Sequence, residues 1–265
     1  MSGRGQRGVA ISPELMAAML SQLGASRVSE AVDRAQDMMF DAMELDDPRA
    51  RAAVAKRALT VSRDCADAWM ALAEVAKTPQ EALDMMAEGV AAGGRALGEA
   101  AFVEDVGHFW GLIETRPYMR ARLAYADALW DADRHDEAVG HAADLLRLNP
   151  NDNQGVRYPL LNWLLEMGRL DDTDRLLKQY RAKHDAQWAF PAALAAFRRH
   201  GDKASARKAL MTALASNPHV ADLLCGRRKL PRAMPPYYSP GDRSEAVIYV
   251  QEGRAAWSAA PGALD

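Results

Sequence analysis

Apolar residues recur along most of this chain at spacings of three and four, the period that places side chains on one face of an α-helix. The clearest stripes lie between Met119 and Pro150. Met119, Leu123, Ala126 and Leu129 form one; Ala138, Val139, Ala142, Leu145 and Leu146 form the next, after a polar break over 131–136. Helices this short are marginal alone, so each must bury its stripe against a neighbour.

Paired stripes precede and follow. Ser29 opens a helix carrying Val32, Ala35, Met39 and Met43, Asp46-Asp47-Pro48 turns the chain, and a second helix carries Ala52, Ala55, Ala58 and Leu59. Near Asp64 the next pair begins, with Trp69, Leu72, Ala73 and Ala76 on its inner face. Thr78-Pro79-Gln80-Glu81 reads as a capping box with proline at the first helical position. Ala82, Leu83, Met86 and Val90 follow, and Gly93-Gly94 is expected to stop that helix. RYPLLNWLLEMGRLDDTDRLLKQY, turning at Gly168, and the stretch from about Gln187 to Pro218, turning at Gly201-Asp202, supply two more pairs. Ser12 and Pro13 predict a short helix ending before Gly24.

Small residues at fixed offsets and a closing proline, about 34 residues per unit, resemble the tetratricopeptide repeat. The central unit has Ala126, Ala138 and Pro150; the last has Ala206, Ala213 and Pro218; Arg169 and Thr173 repeat the positions of Arg134 and Ala138. Asp136, Asp171 and Asp202 open second helices, where a carboxylate suits the positive helix end. Arg122 and Ala142 depart from the repeat's usual aromatics. The resemblance implies an all-α, TPR-like helical-hairpin solenoid of about five repeats over residues 29–218. Residues 95–118 break the period as an insertion, residues 1–28 form an N-terminal tail and short helix, and residues 219–265 form a C-terminal extended segment and capping helix. Ala246, Tyr249, Val250 and Trp257 would face inward from that last helix, although 246–250 also reads as the best strand signal.

Charge narrows the function. Lys+Arg 33 against Asp+Glu 36 gives −3, a balance that argues against nucleic-acid or anionic-membrane binding. Cys65 and Cys225 stand far apart, as reduced thiols of a cytoplasmic protein do. No apolar run approaches the roughly 18 residues of a membrane helix, and the first residues lack a signal-peptide core. Gly3-Arg4-Gly5-Gln6-Arg7-Gly8 matches a nucleotide fingerprint only in letters, without strand context. No metal-ligand spacing is visible, and no cofactor or metal is expected.

The runs DCADAW (64–69), VGHFWGLIETRPYMRA (106–121), RLNPNDNQGVRY (147–158) and NPH…LP…PPYYSPGD (217–242) resemble the suppressor-of-tumorigenicity-7 family, and more closely its bacterial tetratricopeptide relatives. The resemblance covers roughly residues 45 to 265 and implies a helical scaffold without a settled activity. Animal members of that family carry membrane segments, which this sequence lacks.

Two motifs carry the candidate chemistry. In the first, His108, Glu114 and Arg116 form a polar set between Trp110 and Tyr118; arginine grips carboxylates bidentately, so the set suits a peptide carboxylate. Packing of the aromatics onto the repeats and a Glu114–Arg116 pair is the alternative. In the second, the turn around Asn153 leads to Arg157, Tyr158 and Asn162, read either as groove residues or as a stabilised loop. A concave groove lined by Arg120, Asp127, Asp131, Arg157 and Asn162 would hold a protein or peptide partner, making the chain a non-enzymatic adaptor. A groove filled by the chain's own tail would count against that. The alternatives are a structural subunit of a larger or homo-oligomeric assembly, and an enzyme using His108, Glu114 and Arg116. Arg227, Arg228, Lys229 and Arg232 read as a solvated charge run.

Overall fold

The computed structural model describes residues 27–180 and 185–264. The helix expected over residues 12–23 and the glycine-rich motif at 3–8 lie outside them. Among the described residues the regular structure is twelve α-helices and two short 3₁₀ turns, with no strand. None of these helices is long and apolar enough to cross a membrane. Two compact units form: the first takes the described residues up to Glu104 together with Gly111–Ala121, and the second takes Asp105–Trp110 and the chain from Arg122 onward.

The first unit holds α1 (Glu30–Ala42), α2 (Pro48–Val61), α3 (Ala66–Ala73), α4 (Pro79–Glu104) and the opening residues of α5 (Arg116–Asp131). Its helix starts follow the local sequence. The Ser29 hydroxyl accepts the Val32 N–H at 3.3 Å, and Asp47 accepts the Arg49 N–H at 3.0 Å ahead of Pro48. Thr78 accepts from the Glu81 N–H at 3.1 Å while the Glu81 carboxylate accepts the Lys77 N–H at 2.9 Å, a capping box whose return arm lands one residue early. Ala35, Met39 and Ala42 of α1 mesh with Ala52, Ala55 and Ala58 of α2 and Ala68, Ala71 and Leu72 of α3. Met43, expected in the α1 stripe, caps the helix instead and is half exposed. Cys65 is fully buried in this core beside Gln36, and burial pushes its thiol up to about 11.

Gly93-Gly94 does not end α4, which runs on to Glu104 through a break at Gly98, where φ is 73° and ψ 162°. Gly93 serves close approach instead. A Cβ there would lie 3.0 Å from Tyr118 Cβ and 3.3 Å from Ala66 Cβ. The segment expected as an insertion from residue 95 therefore begins as helix and turns irregular only after Glu104.

The second unit continues with α6 (His135–Leu148), α7 (Arg157–Glu166), α8 (Leu170–Gln179), α9 (Ala186–His200), α10 (Ala204–Ser216), α11 (Val220–Leu224) and α12 (Arg243–Ser258). The hairpin turns repeat physically. The Arg134 N–H donates to the Leu129 carbonyl at 2.9 Å, and 35 residues on the Arg169 N–H donates to the Leu164 carbonyl at 2.8 Å. The residue before each donor is left-handed, Asp133 at φ 59° and Gly168 at φ 74°. Ala126, Ala138, Thr173, Ala206 and Ala213 are all buried, the small positions at which neighbouring helices meet.

α12 departs from expectation. It packs on α7, α9 and α11 rather than only closing an end. The reason lies in α7, where every residue from Leu160 to Leu165 is buried. A helix apolar nearly all round needs cover on more than one side. α12 supplies it with Ala246, Val247, Tyr249, Val250, Ala256 and Trp257. Tyr249 and Phe190 rings sit 5.5 Å apart, and the Trp257 indole N–H donates to the Tyr249 hydroxyl at 2.6 Å.

Candidate partner-binding site

Three of the predicted groove residues converge in the second unit. Asp127 and Asp131, one helical turn apart on α5, and Asn162 on α7 line one concavity of about 420 Å³ with Trp130, Pro159, Trp163 and Glu252. Trp130 and Trp163 stack with centroids 4.9 Å apart and planes 9° from parallel, and His135 stacks on Trp130 at 4.0 Å. The rings form a stiff wall. Glu252 arrives from α12, so the tail helix that covers α7 also completes this hollow.

The electrostatics are one-sided. Among the described residues, no arginine, lysine or histidine pairs with Asp127, Asp131 or Glu252. Asp127 is open to the concavity, yet the protein around its carboxylate displaces enough water, with Asp131 adding repulsion, to push it up to about 6. Burial also raises Glu252, helped by the charge of Asp127. Asn162 is 5% exposed, and its Oδ1, covered from solvent against Gly253 of α12, has no hydrogen-bond partner among the described residues. The site presents acceptors beside an aromatic wall, an arrangement complementary to a donor-rich cation. No cluster of His, Cys, Asp and Glu among the described residues could hold a metal ion.

The other predicted residues do different things. Arg157 faces no groove: it is buried against Asp152, donating to its carboxylate at 3.0 Å, and lies 4.4 Å from the Tyr158 ring centroid and 5.3 Å from that of Tyr180. Asp152 also takes the Val156 N–H at 2.7 Å, so the carboxylate and guanidinium knot the turn that starts α7. Burial raises Asp152 even against these favourable contacts. Tyr158 donates to Asp185 at 3.0 Å and accepts from Arg157 at 2.9 Å, and Asn153 is exposed in the turn. Arg120 reaches back to the buried Asp67 of α3, which also accepts from Gln36.

The insertion cluster is divided. His108, exposed, and Trp110, half-buried, belong to the second unit; Glu114, Arg116, Tyr118 and Arg120 belong to the first. Tyr118 is buried edge-on to Phe102 at 5.0 Å. Glu114 lines a second concavity of about 420 Å³ in the first unit, with Asp33, Phe40, Ile113 and Tyr118. The buried amide there, Gln36, is already satisfied by Asp67 and Cys65.

Glu252, Trp130, Trp163 and Pro159 escaped the sequence reading of the site. Trp130 and Trp163 had a signal, since each follows an expected groove position on its helix by one to three residues. Glu252 had none, because nothing local states where α12 docks.

No protein-family model matches the chain, and no curated protein matches it. The crystal structure of YrrB, "a TPR protein with an unusual peptide-binding site", is similar at a TM-score of 0.48 and 16% identity, over 78% of this chain and 93% of that one. At that likeness, residue roles in this chain rest on its own geometry.

Proposed function

We propose that the protein is a non-enzymatic interaction scaffold that holds a protein or peptide segment in the concavity of its second unit. One observation carries the reading: Asp127, Asp131 and Glu252, which have no ion pair among the described residues, line one concavity with the stacked Trp130 and Trp163. Asp127, Asp131 and Glu252 are exposed, so they are open to a partner from outside the chain. α12, the chain's own tail, packs on α7 and α9, the first helices of two hairpins; this counts against a long peptide groove there and leaves the concavity between α5, α7 and α12 as the place for a partner. The tetratricopeptide-like helical pairs and the resemblance to the suppressor-of-tumorigenicity-7 family agree with a scaffold role. Neither names a partner.

Photo-crosslinking tests the reading. A photoreactive residue at Glu252 is expected to capture a protein segment in cell extract, and the Asp127→Asn, Asp131→Asn pair is expected to abolish capture. Capture from the outer face alone, for instance from Lys208 on α10, would sink it. That outcome would favour an assembly subunit instead, a reading supported by the exposed Leu210 and Met211 on the same helix.

A further inference from the structure

We infer that the basic, proline-rich segment of one copy of this chain, residues 227–238, docks into the apolar hollow in the first unit of a second copy. Its Lys229 and Arg232 would meet Asp33, Asp37 and Glu114, and its Met234 and Tyr237 would lie on Phe40 and Ile113. The inference is independent of the concavity beside Trp130.

The hollow is apolar and open. It encloses about 420 Å³, with Val28, Val32, Phe40, Ile113, Pro117 and Tyr118 in its lining. Phe40 is 41% exposed and Ile113 66%, so the first unit leaves large apolar side chains uncovered there. No arginine, lysine or histidine lines it. Asp33, Asp37 and Glu114 do, and none of the three has an ion pair among the described residues, whereas the neighbouring Asp64 is taken by Arg95 at 2.8 Å.

The segment carries the converse chemistry. Arg227 and Arg228 share Asp222, at 3.0 and 3.9 Å, while Lys229 and Arg232 have no carboxylate among the described residues. Met234 is 52% exposed and Tyr237 64%. Residues 229–237 have no regular structure, and their backbone makes no hydrogen bond among the described residues. Both ends are nevertheless anchored. The Arg228 N–H donates to the Asp222 carbonyl at 2.9 Å, the Tyr238 hydroxyl to Glu245 at 2.9 Å, and the Ser239 N–H to the Ser244 hydroxyl at 3.0 Å. Pro231, Pro235 and Pro236 restrict the backbone between those anchors. A segment held in shape with its polar backbone and apolar side chains outward loses little freedom on docking.

Charge and exposure together choose the pairing. The hollow between α6 and α8 is rimmed by Arg147, Arg169 and Arg175, which repel a basic segment. The concavity at Asp127 has the right sign, but Trp130 and Trp163 already cover each other and neither is among the exposed large apolar side chains. The first-unit hollow joins unpaired acids to exposed apolar surface, so steering and burial act at one place.

The test is self-association of the full chain, read by sedimentation velocity over a concentration series at low and high salt. Wild type is expected to associate, more weakly as salt rises. A Lys229→Glu, Arg232→Glu variant and an Asp37→Lys, Glu114→Lys variant should each associate about tenfold more weakly or worse. The two charge-reversed variants mixed together should associate again, because each then offers the other a complementary segment and hollow; this rescue also shows that neither is misfolded. Tyr237→Ala should weaken association without changing its salt dependence. A chain that stays monomeric up to millimolar concentration, association indifferent to both charge reversals, or a mixture that fails to associate would overturn the inference. Association lost in the Asp127→Asn, Asp131→Asn pair and kept in the Asp37→Lys, Glu114→Lys variant would overturn it as well, by moving the segment to the other acidic concavity. Capture at Glu252 is a separate measurement, so the scaffold reading stands or falls apart from these results.

Discussion

Glu245 and Glu252 lie seven residues apart on α12 and live in opposite circumstances. Glu245 is fully buried and accepts four donors: the Ala186 N–H at 2.9 Å, the Asn217 side-chain amide at 2.9 Å, the Gly241 N–H at 2.6 Å and the Tyr238 hydroxyl at 2.9 Å. These donors come from the start of α9, the end of α10 and the segment before α12, so this carboxylate staples the C-terminal helix onto the hairpins. Glu252 accepts no hydrogen bond from the described residues and opens into the concavity. A charge that folding satisfies reports on architecture. A charge left to solvent is free to meet whatever approaches that face. The chain's one-residue chemistry is identical in the two places, and only the donors around it differ.

That contrast can be broken hardest at the staple. Glu245→Ala leaves four donors without their acceptor and should cost the second unit about 4 kcal/mol, read as a lower midpoint in chemical denaturation. A loss under about 1 kcal/mol would mean that Glu245 and Glu252 are alike after all. Arg157→Ala comes next. It strands the buried Asp152 carboxylate, and about 3 kcal/mol should be lost by the same measurement. The variant also makes a poor probe of binding, because the damage is to the fold.

The smallest effect sharpens the comparison at its other end. Asp127 has a folded pKa raised to about 6 from an ordinary carboxylate value near 4, so the folded state holds more protons between those limits. Stability from this group is therefore present at low pH and lost as pH rises from about 4 to about 6. Because the side chain is open to water, the amount is at most about 1 kcal/mol. The Asp127→Asn, Glu252→Gln double variant should match or slightly exceed the wild type at pH 7 and lose this part of the pH dependence, measured by thermal melts across the range. The groups facing Asp127 are Asp131 on its own helix and Glu252 from α12; Asn162 on α7 is neutral, and His135 stacks on Trp130.

The repeat was legible in sequence because helix crossing demands small side chains at fixed intervals. Ala126, Ala138 and Thr173 meet that demand and are buried. The same register places Asp127, Asp131 and Asn162 where they line one concavity. Three features that the sequence does not resolve share a cause. Gly93 reads as a stop signal in sequence, but its hydrogen atom matters for Tyr118 and Ala66, which are distant in sequence. Arg157 reads either as a groove residue or as part of a stabilised loop, and Asp152 takes it inside a turn whose closure no spacing rule shows. Glu252 went unnoticed because the docking of α12 on α7 depends on the all-round apolar surface of α7, a tertiary fact.

The core of the first unit has a chemical consequence for the whole molecule. Cys65 is sealed among α1, α2 and α3 with its thiol held in the protonated form far above neutral pH, while Cys225 is exposed. A thiol reagent at neutral pH therefore meets a single reactive sulfur in the native protein. Cys225 sits between α11 and the segment that returns through Tyr238 to Glu245. A fluorophore or spin label placed there marks the second unit at one position without engineering, and labelling of Cys65 would signal that the alanine-lined core had opened.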